Sequence, residues 1–350
     1  MTPASLRADS GLTTRSKPRF ARSAEDGPAR RILITGGAGF LGVNAALRMI
    51  EEGWHVTLLD NLSRPGTERN LKWLITEHPT ETTFIKEDVR NASALSDHVK
   101  GQDAILHLAG QVAVTTSLID PVTDFDVNAG GTLNMLEATR KHNPEAPFVF
   151  ASTNKVYGKL DKNNVACKES QPIDFHSPYG CSKGAADQYV RDYARCYHMN
   201  TVVLRQSCIY GAHQYGTEDQ GWVAHFVHSI LNKRPTTIYG DGTQVRDLLD
   251  ARDLCRLYST VIKQIDKTRG EIYNVGGGPE NQRNLLEVID RIGKLTHQTP
   301  EFSFADWREG DQTYYVSDIS KAQKELGWKP EVGFDRGLED LVVWAARAAT

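Results

Sequence analysis

Arg31-Ile-Leu-Ile-Thr35 is a short apolar run that breaks directly into Gly36-Gly37-Ala38-Gly39-Phe40-Leu41-Gly42. Val43, Leu47 and Ile50 then recur at helical spacing until Gly53, so the segment reads as strand, tight turn and helix. A strand followed this closely by a helix belongs in a parallel sheet, where the helix packs back across the sheet as a crossover. The rest of the first half repeats the pattern. HVTLLD (55–60), TFIK (83–86), AILHL (104–108), PFVFA (147–151) and TVVLR (201–205) are continuous apolar runs, each preceded by a stretch of helical composition. Strands that do not alternate apolar with polar are covered on both faces. The expected fold is therefore α/β: a doubly wound parallel sheet of the Rossmann type. It occupies residues 30–205, with a later return near 245–270.

After residue 206 the sequence grows richer in Gly, Asp and Trp, with short segments TTIYGDG (236–242) and EIYNVGGG (271–278). Residues 206–350 are expected to form mainly a smaller C-terminal α/β substrate lobe that caps the carboxyl ends of the strands. Residues 1–29 carry five basic and three acidic side chains with no apolar face, and are expected to be a flexible tail.

Composition narrows the partners. The chain has 41 basic and 44 acidic side chains, a net charge of -3, so its overall charge does not favour nucleic acid. No run of 18 apolar residues is present, so no membrane span is expected. Cys167, Cys181, Cys196, Cys208 and Cys255 are scattered and lack CxxC spacing; they read as buried thiols of a reducing, cytoplasmic compartment. The 11 histidines form no HxxxH or HExxH pattern, so no metal is expected.

Glycines 36, 39 and 42 let the turn close and let backbone N–H groups at a helix N-terminus approach a pyrophosphate. Asp60 ends the second strand 18 residues after Gly42, where a carboxylate accepts bonds from ribose hydroxyls and repels a 2′-phosphate. The pattern points to NAD rather than NADP; an ordinary tight turn and a solvated acid are the bland alternatives. Asp88-Val89 and Leu108-Ala109-Gly110 follow the third and fourth strands, where loops at the carboxyl edge would touch the cofactor.

Tyr179-Gly180-Cys181-Ser182-Lys183 opens a helix over 182–197, and four residues make about one turn, so Tyr179 and Lys183 share a face. A phenol of pKa ~10 is a poor base; an adjacent ammonium and a positively charged cofactor ring favour the phenolate, and lowering it toward ~7 represents about 4 kcal/mol. Thr153, at the end of the fifth strand, falls at the same sheet edge and can bond a substrate oxygen.

On these residues the sequence resembles the extended short-chain dehydrogenase/reductase enzymes that modify nucleotide sugars. The resemblance covers nearly all of 31–345, through TGGAGFLG (35–42), STNKVYG (152–158), YGCSK (179–183), QVRDLLDARD (244–253) and YNVGGG (273–278). DNLSR (60–64), HLAGQVAVTTS (107–117), DFHSPYGCSKGAADQY (174–189) and DQGW (219–222) look closest to members that invert C2 of a CDP-dideoxyhexose. The resemblance implies an NAD-dependent epimerase working through a transient 2-keto sugar, with Tyr179 the base, Lys183 its partner on the nicotinamide ribose, and Thr153 the oxygen-orienting hydroxyl. The cofactor set is then Gly36, Gly39, Phe40, Leu41, Gly42, Asp60, Asn61, Asp88, Val89, Leu108, Ala109 and Gly110 together with Tyr179 and Lys183.

For a nucleotide sugar, with a CDP-sugar favoured, the expected contacts are Gln111, Thr116, Asn154, Lys155 and Gln214, with Ser117 nearby and Arg246 and Arg308 on the diphosphate. A homodimer through helices near 129–142 and 179–198 is implied in the same way. Two departures shape the reading. Asn154-Lys155 stand where the 4,6-dehydratases of the family carry an Asp-Glu pair, which weighs against elimination. Cys208 stands where many 4-epimerases carry Asn. A UDP- or CDP-sugar 4-epimerase and a non-catalytic dinucleotide sensor remain the alternatives.

Overall fold

The computed structural model describes residues 29–160 and 166–348; the tail expected over 1–29 therefore lies, but for its last residue, outside the described residues. Six strands alternate with helices through the first half: β1 (Arg31–Thr35), β2 (His55–Asp60), β3 (Thr82–Lys86), β4 (Ala104–His107), β5 (Phe148–Thr153) and β6 (Thr201–Gln206). The helices between them are α1 (Phe40–Glu51), α2 (Thr67–Glu77), α3 (Ala92–Val99), α4 (Val114–Ile119), α5 (Pro121–Phe125), α6 (Gly131–His142) and α7 (Pro178–Tyr197). The second half adds β7 (Cys208–Tyr210), α8 (Trp222–Leu231), β8 (Thr236–Tyr239), β9 (Val245–Asp250), α9 (Ala251–Lys263), α10 (Ile265–Thr268) and β10 (Ile272–Val275). It ends with β11 (Gln282–Asn284), α11 (Leu285–Thr296), β12 (Phe302–Ala305), β13 (Tyr314–Tyr315), α12 (Ser320–Leu326) and α13 (Phe334–Ala348).

The main sheet is parallel throughout, in the order β3-β2-β1-β4-β5-β6-β10. Alternate residues of each strand feed opposite faces. Ile32, Ile34, Val56 and Leu58 pack under α1 and α9, whereas Leu33, Ile105, Phe148 and Phe150 pack against α6 and α7. These side chains are fully buried, each worth roughly 1.5–3 kcal/mol of transfer free energy. Strand order reverses at β1, whose neighbours are β2 and β4, and such a switch point opens a crevice beyond the carboxyl ends of the strands.

One segment lies elsewhere than the sequence pattern suggests. EIYNVGGG, grouped above with the smaller lobe, supplies β10, the seventh strand of the main sheet, paired with β6. α9 packs with α1 in the main core, but β9 just before it pairs with β7, β11 and β13. The lobe's own core lies between α8, α11 and α13. Three of the cysteines are also not fully buried: Cys181 and Cys196 are exposed on α7 and Cys208 is half-buried, while Cys167 and Cys255 are buried. No helix among the described residues is long and apolar enough to cross a membrane.

Candidate active site

The glycine turn sits at the carboxyl end of β1. Gly36 has φ +66°, and a Cβ on it would lie 2.8 Å from the Ala109 nitrogen. A Cβ on Gly42 would lie 2.3 Å from the Gly36 carbonyl oxygen, so the start of α1 closes onto the turn only without a side chain. Gly39 donates to the Gly36 carbonyl (3.1 Å) and precedes α1, whose first turn, opening on Phe40 and Leu41, carries no acid and no side-chain cap. The orphan N–H groups there are available to an anion.

Asp60 ends β2 and accepts from Ala38 N (3.1 Å) and Leu62 N (2.8 Å); burial pushes its carboxyl up, with those two bonds and Arg64 opposing. A bare cradle that a Cβ would fill, at a helix start beside a carboxylate, fits a dinucleotide. The outer members of the expected set are tied to one another. Asn61 donates to Asp88 Oδ2 (2.8 Å), and Asp88 is gripped by Arg90 through Nε (2.9 Å) and Nη2 (2.8 Å), which holds its carboxyl well below the usual range. Val89 is buried against Gly131. Leu108 follows β4 directly, Ala109 donates to Thr35 Oγ1 (3.2 Å), and Gly110 lies beside Asn128 Oδ1 and Lys183 Nζ.

The start of α7 is fixed twice over. Ser177 caps it, accepting from Gly180 N (3.1 Å), Pro178 follows at the first helical position, and Tyr179 N donates to Ser117 Oγ (3.1 Å). Tyr179, Lys183 and Thr153 are all buried, and Thr153 hydrogen-bonds the phenol. The electrostatics differ from the expectation. Burial pushes the Tyr179 phenol up to about 12; Thr153 and the Arg64 guanidinium oppose this, and Asp124 adds to it. Arg64, to which the sequence pattern assigns no role, is a cation that acts on the phenol. The Lys183 ammonium turns instead to the Ala151 carbonyl (2.6 Å) and lies 4.2 Å from the Phe150 ring centroid; burial pushes it down to about 7, with Asp187 and Asp124 opposing.

Thr153, Asn154, Lys155, Tyr179, Arg246 and Arg308 line one cavity. Asn154 donates to Gln312 Oε1 (3.1 Å), and Lys155 reaches Gly310 O (3.3 Å) and Asp311 (3.5 Å). Burial and Arg246 push the Lys155 ammonium down to about 8, with Asp311 opposing. Both arginines assigned to the diphosphate are already paired. Arg246 donates to Asp311 (2.9 Å) and to the Gln312 carbonyl, and Arg308 stacks 3.7 Å over the Tyr239 ring while donating to Glu218 (3.1 Å).

Three of the expected sugar contacts are not on the wall. Gln111 spends its amide internally, donating to Asp124 (2.8 Å) and Ala113 O (2.8 Å) and accepting from Ala113 N (2.5 Å). Thr116 is exposed on α4, and its neighbour Thr115 lines the cavity instead. Gln214 is buried against Gly221 and donates to Ile209 O (3.3 Å), supporting the 219–222 turn rather than facing the cavity. Wall residues missed from the pattern include Val112, Val114, Asp311 and Tyr239; Cys208 accepts from Trp222 Nε1 (2.9 Å), which fixes the indole on the wall.

A parallel sheet with a glycine cradle at its switch point, and a Thr-Tyr pair opening into a cavity that Lys155, Arg246 and Arg308 line together with acidic partners, define an NAD-dependent enzyme of the nucleotide-sugar short-chain dehydrogenase/reductase class. The comparisons agree. Residues 33–341 match the model of the GDP-mannose 4,6 dehydratase family, and the chain belongs to that family. It is 41% identical to a CDP-paratose 2-epimerase of Salmonella typhi, covering 90% of this chain and 99% of that one. A putative UDP-glucose 4-epimerase of Methanocaldococcus jannaschii is 32% identical over 89% of this chain and 97% of its own. The crystal structure of a Thermus thermophilus UDP-glucose 4-epimerase complex with NAD superposes with a TM-score of 0.82 at 32% identity, covering 91% of this chain and 100% of that one. A Bacillus cereus UDP-glucuronic acid 4-epimerase in complex with UDP-glucuronic acid and NAD gives 0.83 at 29% identity, over 91% of this chain and 99% of that one.

Proposed function

We propose that the protein inverts C2 of a CDP-dideoxyhexose through a transient 2-keto sugar, as the name of its Salmonella relative suggests. The observation that carries this reading is the cavity itself: Thr153 and Tyr179 lie on the same wall as Lys155 and Arg246, and Asn154-Lys155 follow the threonine. The Asn154 amide cannot supply the acid of an elimination, whereas a phenol and a hydroxyl suffice for oxidation and reduction at one carbon.

NAD, held by the glycine turn, Asp60 and the start of α1, would supply the hydride acceptor and the returning hydride. Tyr179 takes the proton from the sugar hydroxyl and returns it to the ketone oxygen after the sugar has turned. Thr153, bonded to the phenol, orients that oxygen. Lys183, tied to β5 through Ala151, would hold the nicotinamide-side ribose. Arg246 and Arg308 exchange Asp311 and Glu218 for the diphosphate, whose two charges are met bidentately by guanidinium groups. The cycle is redox-neutral. With CDP-sugar deuterated at C2, the label is retained in the epimerised product; its loss to water would instead mean deprotonation at carbon. Proton NMR on a panel of CDP-, UDP- and GDP-sugars reads which carbon inverts and which nucleotide is preferred.

A homodimer and a cytoplasmic setting belong to the same proposal. Leu118, Ile119, Val122 and Phe125 on α4 and α5, two helices packed against α7, and Tyr189 on α7 itself are exposed apolar side chains.

A further inference from the structure

We propose that Asp124 is a positioning residue of this site, a buried carboxylate held by three neutral donors that serves as the counter-charge of Lys183. It lies on α5 and is 1% exposed. Gln111 Nε2 (2.8 Å) and Asn128 Nδ2 (3.2 Å) donate to Oδ1, and Ser182 Oγ (2.5 Å) donates to Oδ2. No Lys, Arg or His among the described residues pairs with it within 4.0 Å. Removing an unpaired carboxylate from water costs several kcal/mol, so a carboxylate buried without a bound cation requires another source of compensation.

The second buried carboxylate beside Lys183 behaves differently. Asp187, one turn further along α7, takes both Arg205 Nε (2.8 Å) and Nη2 (2.8 Å) together with the Ser152 hydroxyl (2.7 Å). Its charge is already met by a guanidinium. Lys183 itself has a carbonyl and an aromatic face as neighbours, neither of which carries a negative charge. Lys183 and Asp124 therefore each lack a hydrogen-bonded partner of opposite charge.

The connection between them is short. Ser182 adjoins Lys183 in the chain and is bonded to Asp124. Asn128, its amide nitrogen bonded to Asp124 and to Ser182 Oγ (3.1 Å), has its Oδ1 2.9 Å from the point where a Gly110 Cβ would stand, and Lys183 Nζ is 3.8 Å from that point. The charged or titratable groups facing Lys183 and Tyr179 are Asp124 from α5, Asp187 on α7, His107 from β4 and Arg64 from the loop after β2. Lys155, in the turn after β5, points to Asp311, and Asp126, in the turn after α5, acts on Arg90. Asp187 and then Asp124 oppose the proton loss that burial imposes on Lys183, and Asp124 also raises the proton affinity of Tyr179; because Asp187 is already bound to Arg205, Asp124 is the carboxylate left to balance the ammonium.

The inference rests on the reading that Tyr179 and Lys183 carry the chemistry, and its test stands apart from it. In protein labelled with 13C at lysine Cε, the Lys183 resonance is assigned by its loss in Lys183→Arg and titrated by NMR. Asp124→Asn, an isosteric change that removes the charge, lowers the midpoint by about one pH unit, a tenfold loss of proton affinity. In the NAD-loaded enzyme the alkaline limb of the pH profile moves down with it, whereas a purely structural role lowers the profile without moving its limbs. An unmoved midpoint in folded Asp124→Asn overturns the assignment. If that variant does not fold, Asp124→Ser carries the test: it also removes the carboxylate charge, so the midpoint falls in the same direction, and an unmoved midpoint again overturns the assignment. Tyr179→Phe separates the two claims: if it keeps full epimerase activity, the reading of the site fails whatever Lys183 does.

Discussion

His107 shows how a single side chain ties the sheet to the site. It is fully buried on β4, with its ring between Thr35 Oγ1 (2.6 Å) and Thr132 Oγ1 (3.1 Å). Burial, aided by the Lys183 charge, pushes it down to about 3. An unfolded histidine titrates near ~6.5, so below that pH the unfolded chain binds a proton that the native state refuses. The stability this contributes is complete above ~6.5 and is lost as the pH falls toward the native value, about 2 kcal/mol between pH 7 and 5. His107→Asn keeps a polar group there but removes the titration. The gap in unfolding free energy between wild type and variant therefore narrows by about 2 kcal/mol from pH 7 to pH 5 in urea titrations. A constant gap would show that His107 does not carry this dependence.

At the same scale, the residues legible in the sequence were those whose role is fixed by near neighbours in the chain, such as Gly36, Gly42, Asp60 and the Tyr179–Lys183 spacing. Thr116 was one position off, because a step of one residue on α4 turns a side chain by about 100° and exchanges Thr115 for Thr116 on the wall. Arg64, present only as the end of DNLSR, and Asp124 had no role legible in the sequence, since their parts depend on segments brought together only by the fold.

At the scale of elements, α7 and α11 have comparable starts with different consequences. Ser177 caps α7 through Gly180 N, and Asn284 caps α11 in a capping box with Glu287. Either residue changed to Ala costs about 1 kcal/mol of stability. Only Ser177→Ala also frees the first turn that carries Tyr179, so it lowers kcat, whereas Asn284→Ala lowers Tm and leaves kcat unchanged. Melting curves and steady-state rates on the two variants check this; equal kcat losses would show that the cap does not transmit to the phenol.

The strands of the main sheet were readable almost to the residue, because continuous apolar runs bounded by turns leave little choice. β10 was not, since Ile272–Val275 is only four residues long and nothing local says which sheet receives it. Its partner β6 lies far back in the chain, and pairing at that distance is decided by the space left beside α12 and β6 rather than by propensity.

The whole molecule presents an apolar surface that a lone chain has no reason to expose. Ile119 is 84% exposed, Val122 68% and Phe125 56%, all in the short helices packed against α7. Clustered apolar exposure of this kind marks an interface, and a second copy of the same chain is the occupant that the proposed dimer through α6 and α7 supplies. In sedimentation experiments the wild type then has twice the 38.9 kDa mass of the chain. Ile119→Asp combined with Phe125→Asp places two charges in the buried centre of such a contact. This is enough to shift a micromolar solution to monomer, because truncating or charging a few central residues commonly costs over ~2 kcal/mol each. Neither side chain lines the cavity, so a folded monomeric variant retains the Thr153–Tyr179 arrangement and its affinity for NAD. A double variant that keeps the wild-type mass would place the interface elsewhere, and a wild type that is monomeric at every concentration would leave the exposed helices to another partner.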